Sequence, residues 1–185
     1  EIVLNKKSAD SLKRQAAGLP DYRENNELSF GYSKISQIVS GYVPPDPSRF
    51  KILDTDTPEE HEGFILIGQM TVGNLSFDIL EGGGGHLGGE MIYVSEKAGI
   101  IFTGDLLVNI SGFSEELAQF NSLAPYLMKS VNVDSKRATE MRKEIIRLAG
   151  EISRLNGRPC IICGGHGPIS VLDGDRLTAV SRIKR

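Results

Sequence analysis

Residues 64–79 read Phe-Ile-Leu-Ile-Gly-Gln-Met-Thr-Val-Gly-Asn-Leu-Ser-Phe-Asp-Ile. Two β-prone runs, Met70-Thr71-Val72 and Leu75-Ser76-Phe77-Asp78-Ile79, flank Gly73-Asn74. A glycine–asparagine pair between two such runs predicts an antiparallel hairpin. Phe64-Ile65-Leu66-Ile67 is apolar on both faces and predicts another short strand. Hairpins of this kind exclude a purely doubly wound parallel sheet.

Working outward, Phe50-Lys51-Ile52-Leu53, Met91-Ile92-Tyr93-Val94 and Gly99-Ile100-Ile101-Phe102 predict further strands, the last two joined by a tight turn over Ser95-Glu96-Lys97-Ala98. Beyond them the period changes. Ala138, Met141, Ile145, Leu148, Ile152 and Leu155 step by three and four residues, which predicts one buried stripe on a charged helix over 135–156. Asp134 or Ser135 opens that helix and Gly157 ends it. Its Arg137, Arg142, Lys143, Arg147 and Arg154 read as a solvated face. Another helix is expected over 114–129, kinked or ended by Pro125, and a last short one from Asp175 onward. Pro159-Cys160-Ile161-Ile162-Cys163 reads as a buried strand.

Near the start, Ile2-Val3-Leu4 is β-like, and Ser8 is expected to cap a helix over 9–17 with Gly18 just past its end. Residues 20–31 are polar and turn-rich. Ile35, Ile38, Val39 and Tyr42 recur at helical spacing, and Pro44-Pro45-Asp46-Pro47 reads as a surface loop. The sum is one α/β domain over 1–185, a mixed sheet with its helices segregated to one side.

The composition of the 185 residues is that of an ordinary globular protein, 39% hydrophobic and 24% charged. A formal net charge of −3, with the signs interspersed, gives no footprint for nucleic acid. No apolar run is long enough for a membrane span, and the first residues lack the pattern of a signal peptide. Two cysteines make no disulfide framework. A cytoplasmic setting is therefore expected. Cys160 and Cys163, three apart in a strand, point to opposite faces and read as core.

The chemical signal lies in the 21 glycines and three histidines. Two of the histidines sit in glycine nests, Gly82-Gly83-Gly84-Gly85-His86-Leu87-Gly88-Gly89 and Gly164-Gly165-His166-Gly167. The first nest satisfies G-x-G-x-x-G, but a strand follows it where a dinucleotide site needs a helix N-terminus. No Gly-Lys-Ser/Thr is present, so a P-loop is excluded. Glycines that set an imidazole at a strand end suggest a metal ligand instead. Phe102-Thr103-Gly104-Asp105 likewise sets a carboxylate at the end of an apolar strand. A helix N-cap at Asp105 is the alternative reading.

Taken in order, Gly85-His86-Leu87-Gly88-Gly89, Phe102-Thr103-Gly104-Asp105 and Gly165-His166-Gly167-Pro168 resemble the C-terminal half of the metallo-β-lactamase superfamily, most clearly over 60–175. The resemblance implies part of an αββα sandwich with helices on the outer faces. It implies a two-metal centre, usually zinc and sometimes iron or manganese. His86 is then a ligand of the first metal, Asp105 the bridging carboxylate and His166 a ligand of the second. It further implies a hydrolase whose metal-bound hydroxide attacks an ester, thioester, amide, lactone or phosphoester of a small-molecule substrate.

The superfamily's His-x-His-x-Asp-His motif is absent, and the remaining histidine, His61, reads as solvated in an acidic loop. Two explanations stand: a C-terminal fragment, favoured by a first residue that is not Met, or a degenerate non-catalytic homologue that serves oligomerisation or partner binding. In either case this chain alone is expected to be inactive and to bind metal weakly or not at all. Half a sandwich leaves apolar sheet uncovered, so a homo-oligomer, or association with a missing N-terminal segment, is expected.

Overall fold

The computed structural model describes residues 1–20, 22, 38, 41, 43–53, 59–61, 63–109 and 132–180. The helices expected over 114–129 and around 35–42 lie outside the described residues, apart from Ile38 and Gly41. The strand β1 (Ile2–Asn5) leads into the helix α1 (Lys6–Ala16), and β1 pairs in parallel with β2 (Phe50–Leu53). The helix begins earlier than expected. Asn5, not Ser8, is its N-cap, accepting a hydrogen bond from the Ser8 backbone N–H at 2.9 Å. Ser8 sits inside the first turn, and its hydroxyl instead donates to the Gly89 carbonyl at 2.6 Å. Pro47 opens a single 3-10 turn, Pro47–Arg49, where only loop was expected, because Asp46 caps it and proline suits a first helical position.

The large sheet contains β3 (Glu59–His61), β4 (Phe64–Val72), β5 (Leu75–Glu81), β6 (Met91–Ser95), β7 (Ile100–Gly104), β8 (Ile161–Gly164), β9 (Ser170–Asp173) and β10 (Arg176–Ala179). Its spatial order is β10-β9-β8-β7-β6-β5-β4-β3, and only the β7–β8 pair is parallel. The Gly73-Asn74 hairpin joins β4 to β5 as expected, with Val72 opposite Leu75. The two short runs expected before it form one strand, in which a register shift between Leu66 and Gly68 absorbs an extra residue. His61 ends an edge strand and does not lie in a loop.

Among the described residues the last helix expected, from Asp175 onward, is absent. Residues 170–179 form the β9–β10 hairpin, in which Leu172 pairs with Leu177 and both pack against the core. Period-two packing prevails there over a segment too short to hold a helix by itself.

The helix α2 (Ser135–Asn156) crosses from β7 to β8 with the bounds expected from its stripe, Asp134 as N-cap and Gly157 after its end. Ala138, Met141, Ile145, Leu148 and Ile152 are buried with Phe64, Leu80, Ile92, Val94, Ile101 and Ile162 of the sheet. Each fully buried large side chain contributes about 1.5–3 kcal/mol. The stripe ends one step early. Leu155 is 68% exposed, in the last turn before the chain folds back to β8.

The other face of the large sheet is also apolar. Met70 stands opposite Phe77, Ile79 opposite Tyr93, and Tyr93 opposite Phe102. The small sheet covers part of it. Leu53 of β2 and Ile79 of β5 both approach Gly68, while the neighbouring Ile52 faces the α1 side together with Ala9. The layers thus run helix, small sheet, large sheet, helix: an α/β fold with a mixed sheet and helices on the outer faces, as the resemblance implies, and not on one side as the order of elements suggests, because the small sheet carries α1 over the other face. Beyond this cover Ile65, Met70, Val72 and Phe102 remain exposed. No helix among the described residues is long and apolar enough to cross a membrane.

Candidate functional site

Strand directions bring the three glycine-flanked motifs to one rim. β5 is antiparallel to β6 and β6 to β7, so the end of β5, the start of β6 and the end of β7 share an edge. β8 runs parallel to β7 and ends there too. His86 lies between β5 and β6, Asp105 follows β7 directly, and His166 follows β8.

The side chains meet at the carboxylate. His86 Nε2 lies 3.7 Å from Asp105 Oδ2, and His166 Nε2 lies 3.6 Å from Asp105 Oδ1. Both separations exceed hydrogen-bond length. Exposure rises across the cluster, from 14% for the His86 side chain through 36% for Asp105 to 70% for His166, so the open side is at His166. The residues after Asp105 form a turn and not a helix, so the carboxylate is not an N-cap.

The His86 loop is fastened to the start of α2. Asp134 N–H donates to the Gly85 carbonyl at 2.9 Å, and Val133 N–H donates to the His86 carbonyl at 3.2 Å. Gly85 adopts φ 139°, and a Cβ there would lie 2.5 Å from the Ala138 nitrogen, so only glycine lets the loop sit this close to the helix. His86 Nδ1 lies 3.0 Å from Asn132 Oδ1, and the His86 N–H donates to Glu90 Oε2 at 3.1 Å.

A second set of contacts holds Asp105 and His166 in register. Gly165 N–H donates to the Gly104 carbonyl at 2.7 Å, and a Cβ on Gly165 would collide with Asp105 Oδ1. Thr103 Oγ1 donates to the Leu107 carbonyl at 2.7 Å. Asn109 Nδ2 donates to Ser170 Oγ at 2.8 Å, and Ser170 Oγ donates to the Pro168 carbonyl at 2.8 Å. Arg142, expected on the solvated face of the helix, donates from Nε to the Leu106 carbonyl at 2.9 Å and braces the turn after Asp105.

Charges respond to this crowding. The Asp105 carboxylate beside His86 holds its imidazole above the usual histidine range against the opposing effect of burial, with Asn132 and Glu90 adding to the rise. Asp105 is held below the usual carboxylate range, chiefly by His86 and further by His166. Glu90 is pushed up by burial, partly offset by backbone N–H groups of Leu87 and His86.

Two imidazoles and a carboxylate are donors suited to zinc, iron or manganese. Neighbouring ligands on a tetrahedral zinc with bonds of about 2.0–2.1 Å stand roughly 3.4 Å apart. The two nitrogen–oxygen separations at Asp105 are close to that, one on each carboxylate oxygen. The donors therefore fit in type and as two edges, but not in number. Among the described residues no group of three or more His, Cys, Asp or Glu side chains is gathered to hold an ion. Two surface hollows, of about 670 Å³ beside Lys6 and Lys13 and about 460 Å³ between α2 and Gly174, include none of the three residues.

Among the solved structures similar to the chain are three that cover most of it. The BLEG-1 B3 metallo-β-lactamase shares 18% identity, with a TM-score of 0.41 over 88% of this chain and 64% of that one. TTHA1623 in a di-iron-bound form shares 21%, with 0.38 over 85% and 62%. A metallo-β-lactamase from Pontibacter korlensis shares 15%, with 0.35 over 90% and 61%. The chain resembles metallo-β-lactamase-fold proteins. It spans less than two thirds of the length of each of these three. No protein-family model matches it, and no curated protein matches it.

Sequence reading identified the three residues that meet at the rim but missed those that hold them. Asn109, Asn132, Ser170 and Glu90 carry no motif. Arg142 was hidden among the charged residues of an amphipathic helix.

Proposed function

We propose that the chain carries the aspartate-bridged portion of a two-metal hydrolytic centre. His86 and Asp105 would face one divalent ion, and Asp105 and His166 the other. The observation that carries this reading is the placement of one imidazole nitrogen at each oxygen of a single carboxylate, 3.7 and 3.6 Å away. A bound pair of zinc, iron or manganese ions would supply Lewis acidity and an activated water. The chain's own share is to fix the bridging carboxylate and to hold His86 and His166 against it. The substrate class is a small molecule bearing an ester, thioester, amide, lactone or phosphoester. Two protein donors per ion fall short of the three that a catalytic zinc takes, so the chain by itself is inactive and binds weakly.

Zinc and manganese titrations of the whole chain by calorimetry test this. The expected result is weak binding that Asp105→Asn abolishes. Tight stoichiometric binding would reveal further ligands. Binding indifferent to Asp105→Asn, or no binding even after a segment with a His-x-His-x-Asp-His motif is joined to the chain, would refute the metal reading and leave a non-catalytic role in oligomerisation or partner binding. Hydrolysis is expected only when the chain is joined to a segment that supplies a His-x-His-x-Asp-His motif.

The exposed Ile65, Met70, Val72 and Phe102 support a partner that covers this face, either such a segment or a second copy of the chain. Sedimentation at micromolar concentration, with and without the segment, tests it. A chain that stays monomeric and does not bind the segment would refute it.

A further inference from the structure

We infer that Asn132 is the positioning residue for His86, holding ring nitrogen Nδ1 so that Nε2 alone faces Asp105. The inference rests on the reading of His86 as a metal ligand. An imidazole binds a metal through the lone pair of one nitrogen, and the partner of the other nitrogen decides which lone pair is available. Asn132 Oδ1 lies 3.0 Å from His86 Nδ1. An amide oxygen only accepts, so the ring proton sits on Nδ1 and the lone pair on Nε2, 3.7 Å from Asp105 Oδ2. Free histidine in water favours the opposite tautomer.

Asn132 is itself held in place. The residue is 6% exposed, and its Nδ2 donates to Ser135 Oγ at 3.0 Å. The loop backbone does not depend on it, because Val133 N–H and Asp134 N–H hold the His86 and Gly85 carbonyls. The side chain is therefore left to set the ring, and the three residues that lead into α2, Asn132 to Asp134, set both the position and the tautomer of the histidine.

The test is the long-range proton–nitrogen spectrum of the ¹⁵N-labelled whole chain, freed of metal and at alkaline pH. With three histidines in the sequence, His86 is assigned by the signal lost in His86→Ala. The expected form at His86 is Nδ1–H. Asn132→Leu returns the ring to the free-solution preference, and Asn132→Asp, which keeps an acceptor, restores Nδ1–H. If the leucine variant does not fold, Asn132→Ser, too short to reach the ring, is expected to show the same loss. A dominant Nε2–H form in the unsubstituted chain means that the amide nitrogen faces the ring, and overturns the inference. So does an Nδ1–H signal indifferent to both substitutions.

Zinc affinity separates the two layers of the argument. A loss of about ten-fold or more in Asn132→Leu supports both. No zinc binding by the unsubstituted chain, alone or joined to a His-x-His-x-Asp-His segment, sinks the metal reading, while the tautomer readout still decides the role of Asn132. Equal zinc affinity in both proteins leaves the metal reading intact and overturns the positioning role.

Discussion

Gly85→Ala is the sharpest test of how the His86 loop is held. The new Cβ would stand 2.5 Å from the Ala138 nitrogen and 2.6 Å from its Cα. Carbon contacts settle at about 3.5–4.0 Å, so the overlap is about 1 Å and the atoms opposed to it belong to a helix backbone. The loop cannot swing away without giving up the bonds from Asp134 N–H and Val133 N–H. The φ of 139° adds its own penalty for a residue with a side chain. Backbone strain costs about 1–3 kcal/mol and overpacking a similar amount, so a destabilisation of about 2–6 kcal/mol is expected. For a chain of this size each kcal/mol lowers Tm by about 2–4 °C. Gly88→Ala is the control, three residues along the same loop with nothing within 4 Å of its Cβ, and it should change little. Urea unfolding of both variants gives the midpoints, to be compared at unchanged slope. Equal midpoints for the two variants would refute the claim that the loop is clamped to α2.

Three further outcomes are expected. In the metal-free chain Asp105 is held low and His86 high, so their contribution to stability is present between the two. It is lost as pH falls through the lowered Asp105 value and as pH rises through the raised His86 value; thermal melts across pH should show both limbs, and His86→Gln should remove the alkaline one. Ile145→Ala opens the centre of the α2 interface and should cost about 2–5 kcal/mol, against less than about 0.5 kcal/mol for Leu155→Ala, read from urea midpoints. Burial pushes the Cys160 thiol up to about 11 and raises that of Cys163, which is the more accessible of the two; a thiol reagent at mildly alkaline pH should modify Cys163 first and Cys160 only on unfolding, as mass mapping would show.

The fold was legible wherever a period ran long enough. Six apolar residues in five helical steps gave α2 with its true bounds, and Gly73-Asn74 between β-runs gave the central hairpin. The β9–β10 hairpin was not legible. Leu177-Thr178-Ala179 is too short to distinguish period two from a helical start, and its pairing with Val171 and Leu172 is settled by contact with the core. Glu59-Glu60-His61 looked like a charged loop because an edge strand buries little and therefore carries little hydrophobic pattern. The cap at α1 was misplaced by three residues because Asn5 and Ser8 are both good caps, and only the parallel pairing of β1 with β2 fixes where the strand stops. His86, Asp105 and His166 were legible because glycine and strand ends mark them. Asn132 acts through space on a residue 46 positions away, and no local pattern encodes that.

The directions of the strands divide the molecule into two ends. The Gly73-Asn74 turn, the turn between β6 and β7, the Gly174-Asp175 turn and the exit of α2 at Gly157 all lie at the end opposite His86, Asp105 and His166. The glycines of three of these connections, Gly73, Gly157 and Gly174, have open space around a would-be Cβ. A new chain break, a fluorescent probe or a surface tether can therefore be placed at that end without disturbing the backbone that carries the histidines. Attached there, the protein would stand with the rim of His86, Asp105 and His166 toward the solution.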